Sequence, residues 1–209
     1  MELKEPERVG VKVVGDIEYP GASPDLTPQL LRIKELNPDF IYIQDSVNNT
    51  VKILRDAAKV GVPASKFISN CYNFSHIIPD TLGKEAEGFK SLQINADWGE
   101  NIPLMKEIHE FAKTHKIAKE DTYYVKGWVE GKIIHECISR VLKKTNGKIP
   151  EIGQFRQMVR DEWEKLESFD TGGGTPPLTY KGHQGHAQAR VVEIKGGKYV
   201  PISGWIKTH

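Results

Sequence analysis

The sequence predicts an α/β fold in which a parallel sheet is flanked by helices, and three observations carry that prediction. Short β-rich runs alternate with amphipathic helical stripes at the spacing of crossover units. The run Phe40 to Gln44 is apolar too continuously for a half-exposed strand, as strands covered on both faces are. With 209 residues, of which 38% are hydrophobic and 27% charged, the chain is long enough to bury a core of that kind.

Val11 to Val14 reads as the first strand, closed by Gly15-Asp16 and the turn-rich stretch Tyr19 to Pro24. A helix follows. Asp25 or Thr27 can accept hydrogen bonds from its free first-turn N–H groups, Pro28 fits its first positions, and Leu26, Leu30 and Ile33 share one face. Asn37-Pro38 ends it. Phe40 to Gln44 is the second strand, with Asp45-Ser46 at its carboxyl end. Val51, Ile53, Leu54, Ala57, Ala58 and Val60 then form the stripe of a helix capped by Gly61 ahead of Pro63. Lys66 to Ser69 is the next strand and Asn70 to Ser75 a polar and aromatic loop. Phe89 to Ile94 is a further strand, reached through a short connection around Leu82 to Gly88. In open sheets of this kind ligands meet the loops at the carboxyl ends of the strands.

After Glu100 the alternation stops. Leu104, Met105, Ile108, Phe111 and Ala112 mark one helix, and a second runs from about Tyr123 to Lys144. A third runs from about Gln154 to Leu166, with Phe155, Met158, Val159, Trp163 and Leu166 inward. Phe169 to His186 is rich in Gly, Pro, Thr and His. Ala189 to Ile194 and Lys198 to Ile202 flank Lys195-Gly196-Gly197 as a hairpin.

Composition excludes several function classes. Twenty-nine Lys and Arg face 28 Asp and Glu, and a net charge of +1 gives no general attraction for nucleic acid or an anionic membrane. Cys71 and Cys137 form neither a metal-ligand pattern nor a disulfide framework and read as two buried free thiols. No apolar run reaches the roughly 18 residues of a membrane span. Met1 to Pro6 lacks the basic-then-apolar layout of a secretory signal.

The candidate chemistry is sparse. Gly172-Gly173-Gly174-Thr175 has no strand ahead of it, and Pro176-Pro177 forbids the helix that would cradle a phosphate, so it reads as a flexible loop. His183 and His186 have the spacing of a metal pair without a third ligand and read as loop hydrogen-bonders; no metal or cofactor is expected. Glu85 with Glu87, and Glu120 with Asp121, are neighbouring carboxylates of the solvated kind, and no nucleophile elbow or dinucleotide fingerprint appears. The chain is therefore read as non-enzymatic. Asn70, Cys71, Tyr72, Asn73 and Phe74 directly follow a strand and offer polar groups and an aromatic face to a small molecule. Tyr123, Tyr124 and Trp128 cluster at the start of a helix, where a core role competes with a cleft role.

Tyr19 to Leu30, Asn37 to Tyr42, Ile53 to Gly61, Ala86 to Phe89, Gly127 to Gly131 and Val192 to Pro201 together resemble the second half of type I periplasmic binding proteins. These are the branched-chain amino acid and aromatic-compound receptors of ABC transporters. Each motif alone is generic; their order and spacing are specific, and they run nearly end to end.

The resemblance implies a Rossmann-like parallel sheet with flanking helices, incomplete and consisting mainly of the second lobe. It divides the chain into lobe-two strand-helix units over 1–100, a helical segment belonging to lobe one over 101–168, and a hinge return with the C-terminal hairpin over 169–209. It implies a receptor that closes on a small-molecule ligand and hands it to an ABC permease outside the cytoplasm, with no bond made or broken. A ligand-sensing regulatory module of the same fold is the alternative.

By position, Asp45, Ser46 and Val47, then Asn70, Cys71 and Tyr72, match two ligand-facing loops, and Trp128 matches an aromatic near the cleft. The six site residues expected are Asp45, Ser46, Asn70, Cys71, Tyr72 and Trp128. Receptors for aliphatic amino acids tend to place an acidic residue near the position of Cys71; here Asp45 is the nearest substitute. The first lobe and the first strand and helix of the second would precede Met1, so weak or no ligand affinity is expected of this chain. Its three helices are expected to repack on the sheet or to bury their apolar faces in a homodimer.

Overall fold

A computed structural model describes residues 6, 8–21, 23–117, 121–182, 184–185 and 188–207. The chain forms two compact units, one of Met1–Leu92 with Val192–Pro201 and the other of Gln93–Val191 with Ile202–His209. Among the described residues no helix is long and apolar enough to cross a membrane.

The first unit is built on alternating helices and strands: α1 (Thr27–Leu36), β1 (Ile41–Ile43), α2 (Val47–Lys59), β2 (Phe67–Ser69), α3 (Ile77–Leu82) and β3 (Lys90–Gln93). Strands β1, β2 and β3 are parallel neighbours, with Ile41 opposite Phe67 and Ile68 opposite Lys90. The chain returns as β4 (Gln188–Lys195) and β5 (Lys198–Pro201), giving the order β1-β2-β3-β4-β5. Local chemistry explains the boundaries. Asp25 accepts from the Thr27 N–H at 2.9 Å, and Asn37 closes α1 at φ 42°, a left-handed conformation that Asn tolerates. Gly196 and Gly197 both have positive φ (59° and 77°), so the β4–β5 hairpin turns in two residues with the twist of its strands. Leu30, Leu54, Ala57, Phe67, Ile78, Phe89, Val192 and Ile194 form the core.

Two expectations about strands are corrected. Val11 to Val14 is not a strand, and Val13 and Val14 are exposed. β1 is the end strand of the sheet and residues 11–14 do not pair with its free edge, and an unpaired strand has no stability of its own. Nor is the run Phe40 to Gln44 covered on both faces: Ile43 is buried while Phe40 and Tyr42 are 53% and 55% exposed, the alternation of an edge strand packed on one side. The connection before β3 holds structure that periodicity missed, because α3 has only six residues and a 3₁₀ turn follows at Gly83–Ala86.

In the second unit α4 (Pro103–His115), α5 (Thr122–Lys144) and α6 (Ile152–Trp163) lie close to their expected spans, and β6 (Ile206–Lys207) pairs with the start of β4. Leu104 and Ile108 of α4, Val125, Val129, Ile133 and Cys137 of α5, and Leu166 and Leu178 of the segment after α6 share one core. Asp121 caps α5 by accepting from the Tyr123 N–H at 2.9 Å. The inward face expected of α6 is only half-buried at Phe155, Met158, Val159 and Trp163. Its one buried residue is Glu162, which pairs with Lys144 and with Lys165 at 3.1 Å.

The glycine segment is a packed turn, not a flexible loop. Gly172 and Gly173 have positive φ, Thr171 and Thr175 are buried and share a 3.1 Å hydrogen bond, and a Cβ on Gly174 would lie 2.6 Å from both Leu104 and Val129. Cys137 is buried as expected, whereas Cys71 is partly exposed because it sits in a turn at a strand end.

Candidate functional site

The carboxyl ends of β1 and β2 present two short loops in the first unit. Asp45 and Ser46 lead from β1 into α2, and Asn70 leads from β2 into a 3₁₀ turn over Cys71–Asn73. Five of the six expected site residues thus gather at one end of the sheet. The loops are tied together: the Asn73 Nδ2 group donates to the Asp45 main-chain oxygen at 2.9 Å and to Asn70 Oδ1 at 3.3 Å.

The five differ in what they have left to offer. The Asp45 carboxylate accepts from the Tyr19 hydroxyl, from the Ser46 N–H at 2.6 Å and from Asn49 Nδ2 at 2.9 Å. Burial works to raise its pKa, but these hydrogen bonds prevail and hold it below the usual carboxylate value, so Asp45 is ionised at neutral pH. The Tyr19 hydroxyl is pushed up by burial and by that carboxylate. Asn70 is buried, and its Oδ1 accepts from the Tyr72 N–H at 3.0 Å, making it a cap of its own turn. Ser46 and Tyr72 are exposed and Cys71 partly so; these side chains face solvent at the loop tips. Nearby, the Tyr42 hydroxyl donates to Gln44, and burial and then the Cys71 thiol raise its pKa.

Trp128 belongs to the second unit. It lies half-buried on α5, its ring edge-on to Phe111 of α4 at 5.4 Å, in an open groove of about 620 Å³. Tyr123, Tyr124, Gly127, Gly131 and His135 also line that groove, and the Glu107–Lys132 ion pair (2.9 Å) stands at it.

Among the described residues no cluster of three or more His, Cys, Asp or Glu is arranged to hold a metal ion. His183 and His186 lie outside those residues, as does Glu120. Glu87 accepts from the Gly196 N–H at 2.7 Å, which gives that carboxylate a place in a turn. Sequence reasoning named Asn73 only as one polar group of its loop, and missed both its bridge to Asp45 and Tyr19 as a partner of Asp45. Both act across 26 to 28 residues of chain, a reach that local patterns do not report.

The family described as periplasmic binding protein matches this chain over residues 5–198. No curated protein sequence matches it. Solved structures with a similar fold include a branched-chain amino acid ABC transporter protein from Thermus thermophilus with bound valine. That chain is 20% identical with a TM-score of 0.84, and the match covers 98% of this chain and 55% of that one. A fatty acid ABC transporter substrate-binding protein from Thermomonospora curvata is 17% identical, with a TM-score of 0.78 and coverages of 97% and 52%. A solute-binding protein from Rhodopseudomonas palustris in complex with benzoate is 20% identical, with a TM-score of 0.73 and coverages of 98% and 54%. The chain spans a little over half the length of each.

Proposed function

We propose, from the premise that this chain belongs to the periplasmic binding protein family, that it forms one ligand-gripping part of the solute-binding component of an ABC transporter. The ligand is a small molecule with an apolar body and a polar head: a branched-chain amino acid, an amide or an aromatic acid. Residues 1–100 supply lobe-two units, 101–168 a helical segment of lobe one, and 169–209 the hinge return and hairpin. The component works outside the cytoplasm, and its macromolecular partner is the transporter's permease.

One observation carries this reading. The loop tips of β1 and β2, the place where open parallel sheets meet ligands, are joined into one surface by Asn73, and that surface turns Ser46, Cys71 and Tyr72 outward. The ionised Asp45 beside them supplies a negative charge, although three donors already share it, so an ammonium group gains less there than from an unshared carboxylate. Trp128, in the second unit, keeps the role that its family position implies, that of an aromatic near a cleft.

Ligand-observed NMR of the chain with L-valine and with benzoate tests the proposal. Of the weak and the absent affinity that the sequence leaves open, the outward-facing loop tips favour the weak one: a dissociation constant in the millimolar range, about −4 kcal/mol of binding, is expected for either probe. Ser46→Ala or Tyr72→Ala should weaken it at least threefold. No detectable binding of either probe at tens of millimolar would contradict the reading.

A further inference from the structure

We propose that Asn73 is a positioning residue whose side-chain amide sets the two ligand-facing loops as one rigid surface, an inference that rests on the reading of those loops given above. Asn73 is fully buried. Its Nδ2 group donates to the Asp45 main-chain oxygen (2.9 Å) at the end of β1 and to Asn70 Oδ1 (3.3 Å) at the end of β2. Its own main-chain oxygen accepts from the Tyr199 hydroxyl of β5 at 3.0 Å, and Tyr199 packs edge-on to Phe74 at 5.0 Å. A single residue therefore connects three segments of the sheet's end.

The chemistry of the site requires a donor. Both atoms facing the Asn73 nitrogen are acceptors, so turning the amide over would set three oxygens against one another; Asp and Leu fail there for the same reason, having nothing to donate at neutral pH. The other end of the amide carries a cost. Asn73 Oδ1 is buried and has no hydrogen-bond partner among the described residues, which destabilises the fold. The two donated hydrogen bonds hold the Asp45–Ser46 loop in register with the Asn70–Tyr72 loop.

The geometry separates this role from general support. Asn73→Leu removes both bridging hydrogen bonds, whereas Tyr199→Phe removes the anchor to β5 and leaves the amide bridge intact. Backbone ¹⁵N order parameters at Ser46 and Tyr72 report the difference. Both should lie near the rigid value of about 0.85 in the natural chain and fall below about 0.6 together in Asn73→Leu, while Ser46 stays rigid in Tyr199→Phe. If Asn73→Leu does not fold, Asn73→Ser, which is small enough to be accommodated and too short to span both acceptors, carries the same expectation.

Rigid Ser46 in the Asn73 variant, or equal loosening of Ser46 in both variants, would overturn the proposal. The affinity measurement is a separate arm: Asn73→Leu should weaken L-valine or benzoate at least tenfold and Tyr199→Phe less than threefold. If the natural chain binds neither probe, the functional reading fails and the order parameters still decide the role of Asn73.

Discussion

At the scale of single residues, the sharpest constraints are a carboxylate and a glycine. Glu162 is buried, and its hydrogen bond from Lys144, followed by that from Lys165, holds its pKa below the usual carboxylate value against the opposing effect of burial. A depressed folded-state pKa contributes stability that is present above the unfolded value and is lost as pH falls through the folded one. Thermal unfolding should therefore move to lower temperature as pH drops from about 5 toward 3. Glu162→Gln should flatten that slope in melts recorded across the same range and lower the melting temperature at pH 7. Gly174 is constrained by space: in Gly174→Ala the new methyl meets Leu104 and Val129 at 2.6 Å, and overpacking of this kind costs about 1–3 kcal/mol, readable in urea unfolding. The sequence showed three glycines in a row and suggested looseness. The neighbours that make Gly174 indispensable lie 45 to 70 residues away, out of reach of any local pattern.

At the scale of elements, legibility followed the length and the local chemistry of each segment. α1 could be read from Asp25, Pro28, Asn37 and its apolar face, and the hairpin from Gly196-Gly197, because those signals sit inside the element they define. Val11 to Val14 has the composition of a strand but no strand beside it, and pairing is not written in the run itself. α3 was hidden by its six residues, too few to display a period. The site was legible to the same degree: strand ends were identified and their loops followed, while the Asn73 bridge depends on a fold-level neighbour. α5 yields a further prediction. Gly127 lies inside it with open space where a Cβ would stand, so Gly127→Ala should stabilise the protein by about 0.5–1 kcal/mol in urea unfolding, and an unchanged or lower midpoint would show that the position needs its glycine.

At the scale of the whole molecule, the chain passes three times between its two units, after Leu92, Val191 and Pro201, and each unit has its own apolar core. Phe67→Ala should therefore cost about 3–5 kcal/mol locally and speed hydrogen exchange in β1 to β3 while amides of α5 keep their protection. The family was legible because ordered motifs run nearly the length of the chain; the ligand was not, because specificity is a difference of affinities fixed by pocket shape. The central claim is that the tips of β1 and β2 form the ligand surface. Residue-resolved ¹H–¹⁵N spectra recorded while L-valine or benzoate is titrated in test it most directly. The account predicts saturable shifts concentrated at Ser46, Cys71 and Tyr72; shifts that bypass those three residues, or none with either probe, would contradict it.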